Sequence, residues 1–114
     1  PMREFLWSEE MADATVFVME NVNFEDLIKD KNEIRNCHIN IGTGKEISIK
    51  DLSELVSKTV GYQGKIRFDS TKPDGTMRKL IDVSKLNALG WKHRIEIEEG
   101  VKRLFEWYVA GLSL

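Results

Sequence analysis

Residues 38–61 read HINIGTGKEISIKDLSELVSKTVG, and this stretch decides the fold. His38 to Ile41 has the look of a short strand, and it ends on Gly42-Thr43-Gly44, a turn signal. Ile47 and Ile49 suggest a second short extended piece. Ser48 followed by Asp51 fits the capping pattern in which a hydroxyl and an acidic side chain each satisfy a free backbone donor. Leu52, Leu55, Val56, Thr59 and Val60 then share one helical face. The spacing predicts a helix over 49–60, and Gly61 stands where a helix C-terminus wants a left-handed residue.

Working outward toward the N-terminus, Glu4 to Trp7 reads as a short strand. Ser8 offers an N-cap hydroxyl, and Glu9 and Glu10 suit the positive end of a helix dipole. Met11, Thr15, Val18 and Val22 predict a helix over 9–21. Residues 23–36 are polar and irregular, with one helical turn expected around Phe24–Ile28. Toward the C-terminus, Lys65 to Phe68 reads as a strand and 69–79 as a loop rich in turn formers. Asp82 is placed to cap a short helix over 83–89, closed by Gly90, with Leu86, Leu89 and Trp91 inward. A last helix over 97–110 is expected to bury Ile97, Val101, Leu104, Phe105 and Tyr108, although Gly100 lowers its local propensity by about 1 kcal/mol. Helices and short strands around one core follow from this order.

The bulk numbers bound the function. A chain of 114 residues with 32% charged and 41% hydrophobic side chains is ordinary for one globular domain or part of one. A net charge of -2 argues against nucleic-acid binding driven by overall positive charge. The one cysteine, Cys37, cannot form an internal disulfide and fits a reducing compartment. No apolar run approaches the ~20 residues of a membrane span. Pro1 is not an initiator methionine and the chain enters an apolar run within a few residues, as a piece of a longer chain would.

Several constellations point away from chemistry. Gly42-x-Gly44 lacks the third glycine of a dinucleotide loop, since position 47 is Ile. Cys37 and His38 are adjacent in an expected strand, so they face opposite ways. With His93 they are too few for an ordinary zinc site. Neither Tyr62 nor Tyr108 is followed four residues on by lysine. Phe105, Trp107 and Tyr108 lie largely at core spacing rather than as a stacking platform.

The positive signals are a guanidinium and a loop. Arg3 carries a planar fork suited to bidentate contact with a diphosphate; the alternative is a surface arginine paired with an acid. In Lys72-Pro73-Asp74-Gly75-Thr76-Met77-Arg78-Lys79, Pro73 and Gly75 fix the backbone around Asp74. A carboxylate so presented can accept hydrogen bonds from both hydroxyls of a ribose, with Arg78 and Lys79 close by for phosphates. The alternative is a solvated turn.

These residues also carry a resemblance. Met2-Arg3-Glu4-Phe5-Leu6 with Glu9-Glu10-Met11-Ala12-Asp13-Ala14, the 38–44 strand and turn, Val60-Gly61-Tyr62-x-Gly64, Asp69-x-x-Lys72-Pro73-Asp74-Gly75-Thr76, Arg78-Lys79-Leu80 with Asp82, and Leu89-Gly90-Trp91 resemble the GDP-L-fucose synthases. That family lies within the extended short-chain dehydrogenases/reductases. The resemblance runs over nearly the whole chain. It implies an α/β fold class, here an α+β fragment: the C-terminal substrate-binding part, residues 1–114, with the 38–41 strand belonging to a Rossmann sheet whose NADP-binding N-terminal domain is absent. It implies a cytoplasmic enzyme that epimerises GDP-4-keto-6-deoxy-D-mannose at carbons 3 and 5 and reduces carbon 4 with NADPH. Arg3 would contact the diphosphate, Asp74 the ribose, and Lys79 the phosphates, with Arg78 a weaker candidate. No catalytic residue, cofactor ligand or metal ligand is carried over, and NADP(H) would be held outside this chain. The implied partner is a GDP-sugar, with no nucleic acid or membrane, and the complete enzyme would be a homodimer. The lone 38–41 strand is expected either to pair with another copy of the fragment or to be poorly ordered. Trp7, Met77 and Glu96 depart from the family pattern. They leave the substrate open to a sister enzyme, another nucleotide-sugar epimerase or dehydratase; a non-catalytic interaction module is a separate alternative.

Overall fold

In the computed structural model, residues 1–29 and 32–112 are described. The order is β1 (Met2–Arg3), α1 (Ser8–Asn21), α2 (Phe24–Ile28), β2 (Ile47–Ser48), α3 (Ile49–Val60), α4 (Ser84–Leu89) and α5 (Ile97–Leu112). The helix signals translate directly. Ser48 accepts from the Asp51 amide at 3.0 Å and starts α3. Gly61 (φ 76°) and Gly90 (φ 115°) close α3 and α4 in the left-handed region that side chains disfavour. Asp82 accepts from the Ser84 amide at 2.8 Å at the mouth of α4. That amide, with the Ser84 hydroxyl, holds the Asp82 carboxyl below its ordinary value. Asn23 and Asp26 form a reciprocal capping box on α2.

Ser8 is not the cap of α1. Trp7 occupies that position, and its carbonyl accepts from the Glu10 and Met11 amides at 2.9 and 3.2 Å. Glu10 does sit in the first turn, but its carboxylate also reaches across the chain. It accepts from the Arg94 and Ile95 amides at 2.7 and 2.5 Å.

The strands diverge further from expectation. β1 and β2 pair antiparallel, with Met2 opposite Ser48 and Arg3 opposite Ile47. Pairing therefore lies N-terminal to the expected Glu4–Trp7 run. Residues 65–68 form no strand and are exposed: a ladder needs a neighbouring backbone, and no described residue pairs with them. Residues 38–41 likewise form no ladder among the described residues. Ile39 and Ile41 pack on the core instead, while Asn40 Nδ2 donates to the Asp82 carbonyl at 3.1 Å.

The core is small. Ala14, Leu86 and Trp91 are buried, with Leu6, Phe17, Val18, Ile39 and Ile41 packed against them. Trp91 Nε1 donates to Asp13 at 2.9 Å. α5 buries none of its residues: Leu104 and Tyr108 are each 57% exposed, against the expectation that they point inward. The radius of gyration is 18.1 Å, against about 13 Å for a compact domain of this length. The molecule is a flat body of 57 × 39 × 19 Å, so its amphipathic helices have little to press against.

Candidate functional site

The small sheet brings the two sequence signals together. The Met2 amide donates to the Met77 carbonyl at 2.7 Å, so the loop lies along the free edge of β1. Arg3 Nη1 donates to the Thr76 carbonyl at 2.6 Å and to the Met2 carbonyl at 2.7 Å. A Cβ at Gly75 would lie 3.0 Å from Arg3 Nη2, so the guanidinium rests directly against the backbone next to Asp74. Residues seventy positions apart thus share one edge.

Within the loop, the partners divide. Arg78 faces Glu46 with two donors on two oxygens, Nη2 to Oε1 at 2.7 Å and Nε to Oε2 at 3.2 Å. Asp74 and Lys79 are exposed. Neither makes a hydrogen bond or ion pair with a described residue. Farther back, Asp69 accepts from the Thr71 hydroxyl and amide at 2.5 and 2.9 Å. The hydroxyl first, then the amide, holds the Asp69 carboxyl below its ordinary value.

On the other face, Glu4 fills the Gly42-Thr43-Gly44 turn. Its Oε2 accepts from the Thr43 amide at 3.0 Å and the Gly44 amide at 2.5 Å. Gly42 allows that approach, since a Cβ there would lie 2.9 Å from the same oxygen and 2.8 Å from Ile81 Cδ1. Successive amides in such a turn form an anion-binding concavity, and here the anion comes from the chain itself. The turn does not fit a dinucleotide pyrophosphate.

The residues read as structural are spread apart. Cys37 is half-buried and free. His38 is exposed, while its carbonyl and that of Asn36 accept from Lys85 Nζ at 2.7 and 2.8 Å. His93 is buried, with Nε2 2.9 Å from Glu96 Oε1. Lys45 Nζ donates to the same oxygen at 2.9 Å, and this contact leads in holding the Glu96 carboxyl below its ordinary value. No group of three metal-ligating side chains occurs among the described residues. Trp107 is 72% exposed and borders an apolar groove of about 640 Å³ between α3 and α5, whose lining includes no residue of the 74–79 loop. Glu46 and Glu4 escaped the sequence reading. Each is a lone acid beside a short strand, and only the pairing register reveals what it faces.

No family model matches the chain. It is 42% identical over 109 residues to the GDP-L-fucose synthase of Escherichia coli (strain K12), covering 96% of this chain and 33% of that protein. A solved GDP-6-OMe-4-keto-L-xylo-heptose reductase from C. jejuni is 45% identical with a TM-score of 0.91, covering 96% of this chain and 31% of that one. A GDP-D-glycero-L-gluco-heptose synthase from Campylobacter jejuni, solved in the presence of NADPH, is 44% identical with a TM-score of 0.86 over 95% of this chain and 30% of that one. The chain spans about a third of the length of the curated relatives it matches. The α+β architecture matches the C-terminal part of the extended short-chain dehydrogenases/reductases.

Proposed function

We propose that this homologue of the C-terminal third of GDP-L-fucose synthases supplies GDP-sugar binding to an NADP(H)-dependent enzyme. That enzyme converts GDP-4-keto-6-deoxy-D-mannose to GDP-L-fucose by 3,5-epimerisation and 4-reduction. The observation that carries the reading is the contact of the Arg3 guanidinium with the 75–76 backbone, with Asp74 and Lys79 of the same loop exposed and unengaged. Asp74 accepts from the two ribose hydroxyls, Lys79 and Arg3 neutralise the diphosphate, and the ring to be transformed is oriented by this remote grip. NADP(H), which supplies the hydride, is held by residues outside this chain. The complete enzyme is a homodimer in the cytoplasm, and the chain taken alone either pairs with a second copy along 38–41 or leaves that stretch poorly ordered.

Calorimetric titration of the complete enzyme tests the site. GDP binds more tightly than UDP or dTDP, and Asp74→Ala raises the Kd for GDP about tenfold, or ~1.4 kcal/mol. Equal affinity for the three nucleotides, or an unchanged Kd in the variant, overturns the reading.

A second reading is favoured by the 45% identity to a GDP-heptose reductase: reduction at carbon 4 without epimerisation. Turnover in deuterated water separates the two. Epimerisation breaks the C–H bonds at carbons 3 and 5 and returns solvent deuterons there, whereas reduction alone leaves both positions protiated.

A further inference from the structure

We infer that Glu46 is a positioning residue, and that Arg78 serves as its counterpart rather than as a phosphate ligand: the pair pins the 74–79 loop to the sheet so that Asp74 and Lys79 are held ready for a nucleoside diphosphate. The ligand half of this inference rests on the reading just proposed; the pinning half stands on geometry alone.

Residues 61–80 are exposed throughout and contain no helix or strand. Such a segment pays an ordering cost when it binds unless something orders it beforehand. Three consecutive residues supply the fastening. Thr76 is held through its carbonyl by Arg3, Met77 through its carbonyl by the Met2 amide, and Arg78 through its side chain by Glu46. The charged side chains on either side of those three, Asp74 and Lys79, are the ones left unengaged.

The Arg78–Glu46 contact suits this work. Two parallel donor–acceptor pairs fix direction as well as distance. Glu46 is the rigid member: its side chain is 15% exposed, against 64% for Arg78, and it directly precedes β2, which is paired to β1. An ion pair with one partner so exposed contributes little to global stability. Its consequence is local: it sets where the loop lies relative to Arg3.

The two roles for Arg78 predict opposite results when Glu46 loses its charge. If Arg78 is a fastener, Glu46→Gln frees the loop and weakens nucleotide binding. If Arg78 is a ligand, the same change releases its guanidinium for phosphate, and binding is unchanged or tighter. The experiment uses the complete enzyme, with GDP titration and hydrogen exchange of the Met2 amide, which donates to the Met77 carbonyl of the loop, measured without ligand. Glu46→Gln is expected to speed exchange of the Met2 amide at least fivefold and to raise the Kd for GDP several-fold. The swapped pair Glu46→Arg with Arg78→Glu is expected to restore slow exchange. Unchanged exchange in Glu46→Gln overturns the inference, and so does an unchanged or lower Kd. Should Glu46→Gln fail to fold, Arg78→Gln gives the same exchange readout from the exposed side of the pair. If the wild-type enzyme binds no GDP, the proposed function fails, while the exchange measurements still decide whether the pair pins the loop.

Discussion

Two tryptophans mark two kinds of region in this molecule. Trp91 is 6% exposed, sits with Ala14 and Leu86, and gives its Nε1 to Asp13. Trp7 lines the groove between α3 and α5, and its buried Nε1 makes no hydrogen bond with a described residue. Around Trp91, apolar surface and polar tip are both satisfied. Around Trp7, helices with clear apolar faces meet only along their edges: Val56 and Val60 of α3 and Leu104 of α5 stay 39%, 40% and 57% exposed. The contrast teaches that an amphipathic pattern specifies which face seeks burial and leaves open whether anything covers it.

The comparison can be broken by substitutions on its two sides. Leu86→Ala empties a fully buried position and is expected to cost about 2–5 kcal/mol in urea denaturation. Leu104→Ala in the groove is expected to cost less than ~1 kcal/mol, since more than half of that side chain already faces solvent. Equal losses would show that the groove is packed as tightly as the core. The smallest effect concerns Glu96, which borders the groove and faces the buried His93. Its folded pKa is depressed, chiefly by the Lys45 hydrogen bond. Its contribution is therefore present above its unfolded pKa and fades as pH falls through the lower folded value. The side chain is half exposed, so the effect is screened. Melting temperatures of wild type and Glu96→Gln should differ at neutral pH and converge in acid; a constant gap would remove Glu96 from the acid limb.

Local signals were readable in the sequence. The caps at Ser48, Gly61 and Gly90 and the span of α3 follow from side-chain chemistry within a few residues. Asp74 and Lys79 could be singled out because Pro73 and Gly75 mark a constrained turn, and Arg3 because its planar fork stands beside the first expected strand. What could not be read depends on distant partners. Residues 65–68 have strand-like composition but no neighbour, and Leu104 has core spacing but no cover. The pairing of Glu46 with Arg78 links positions 32 residues apart and leaves no periodic trace.

Arg3 and Glu4 are adjacent, yet one reaches a carbonyl and the other a pair of amides. A slip of the β1 register by one position would exchange their faces. The carboxylate would then confront the Thr76 carbonyl and the guanidinium would confront backbone N–H groups, a mismatch of sign at both ends. In a ladder of only two residues per strand, charge thus favours the native alignment where hydrogen-bond number alone would not distinguish it.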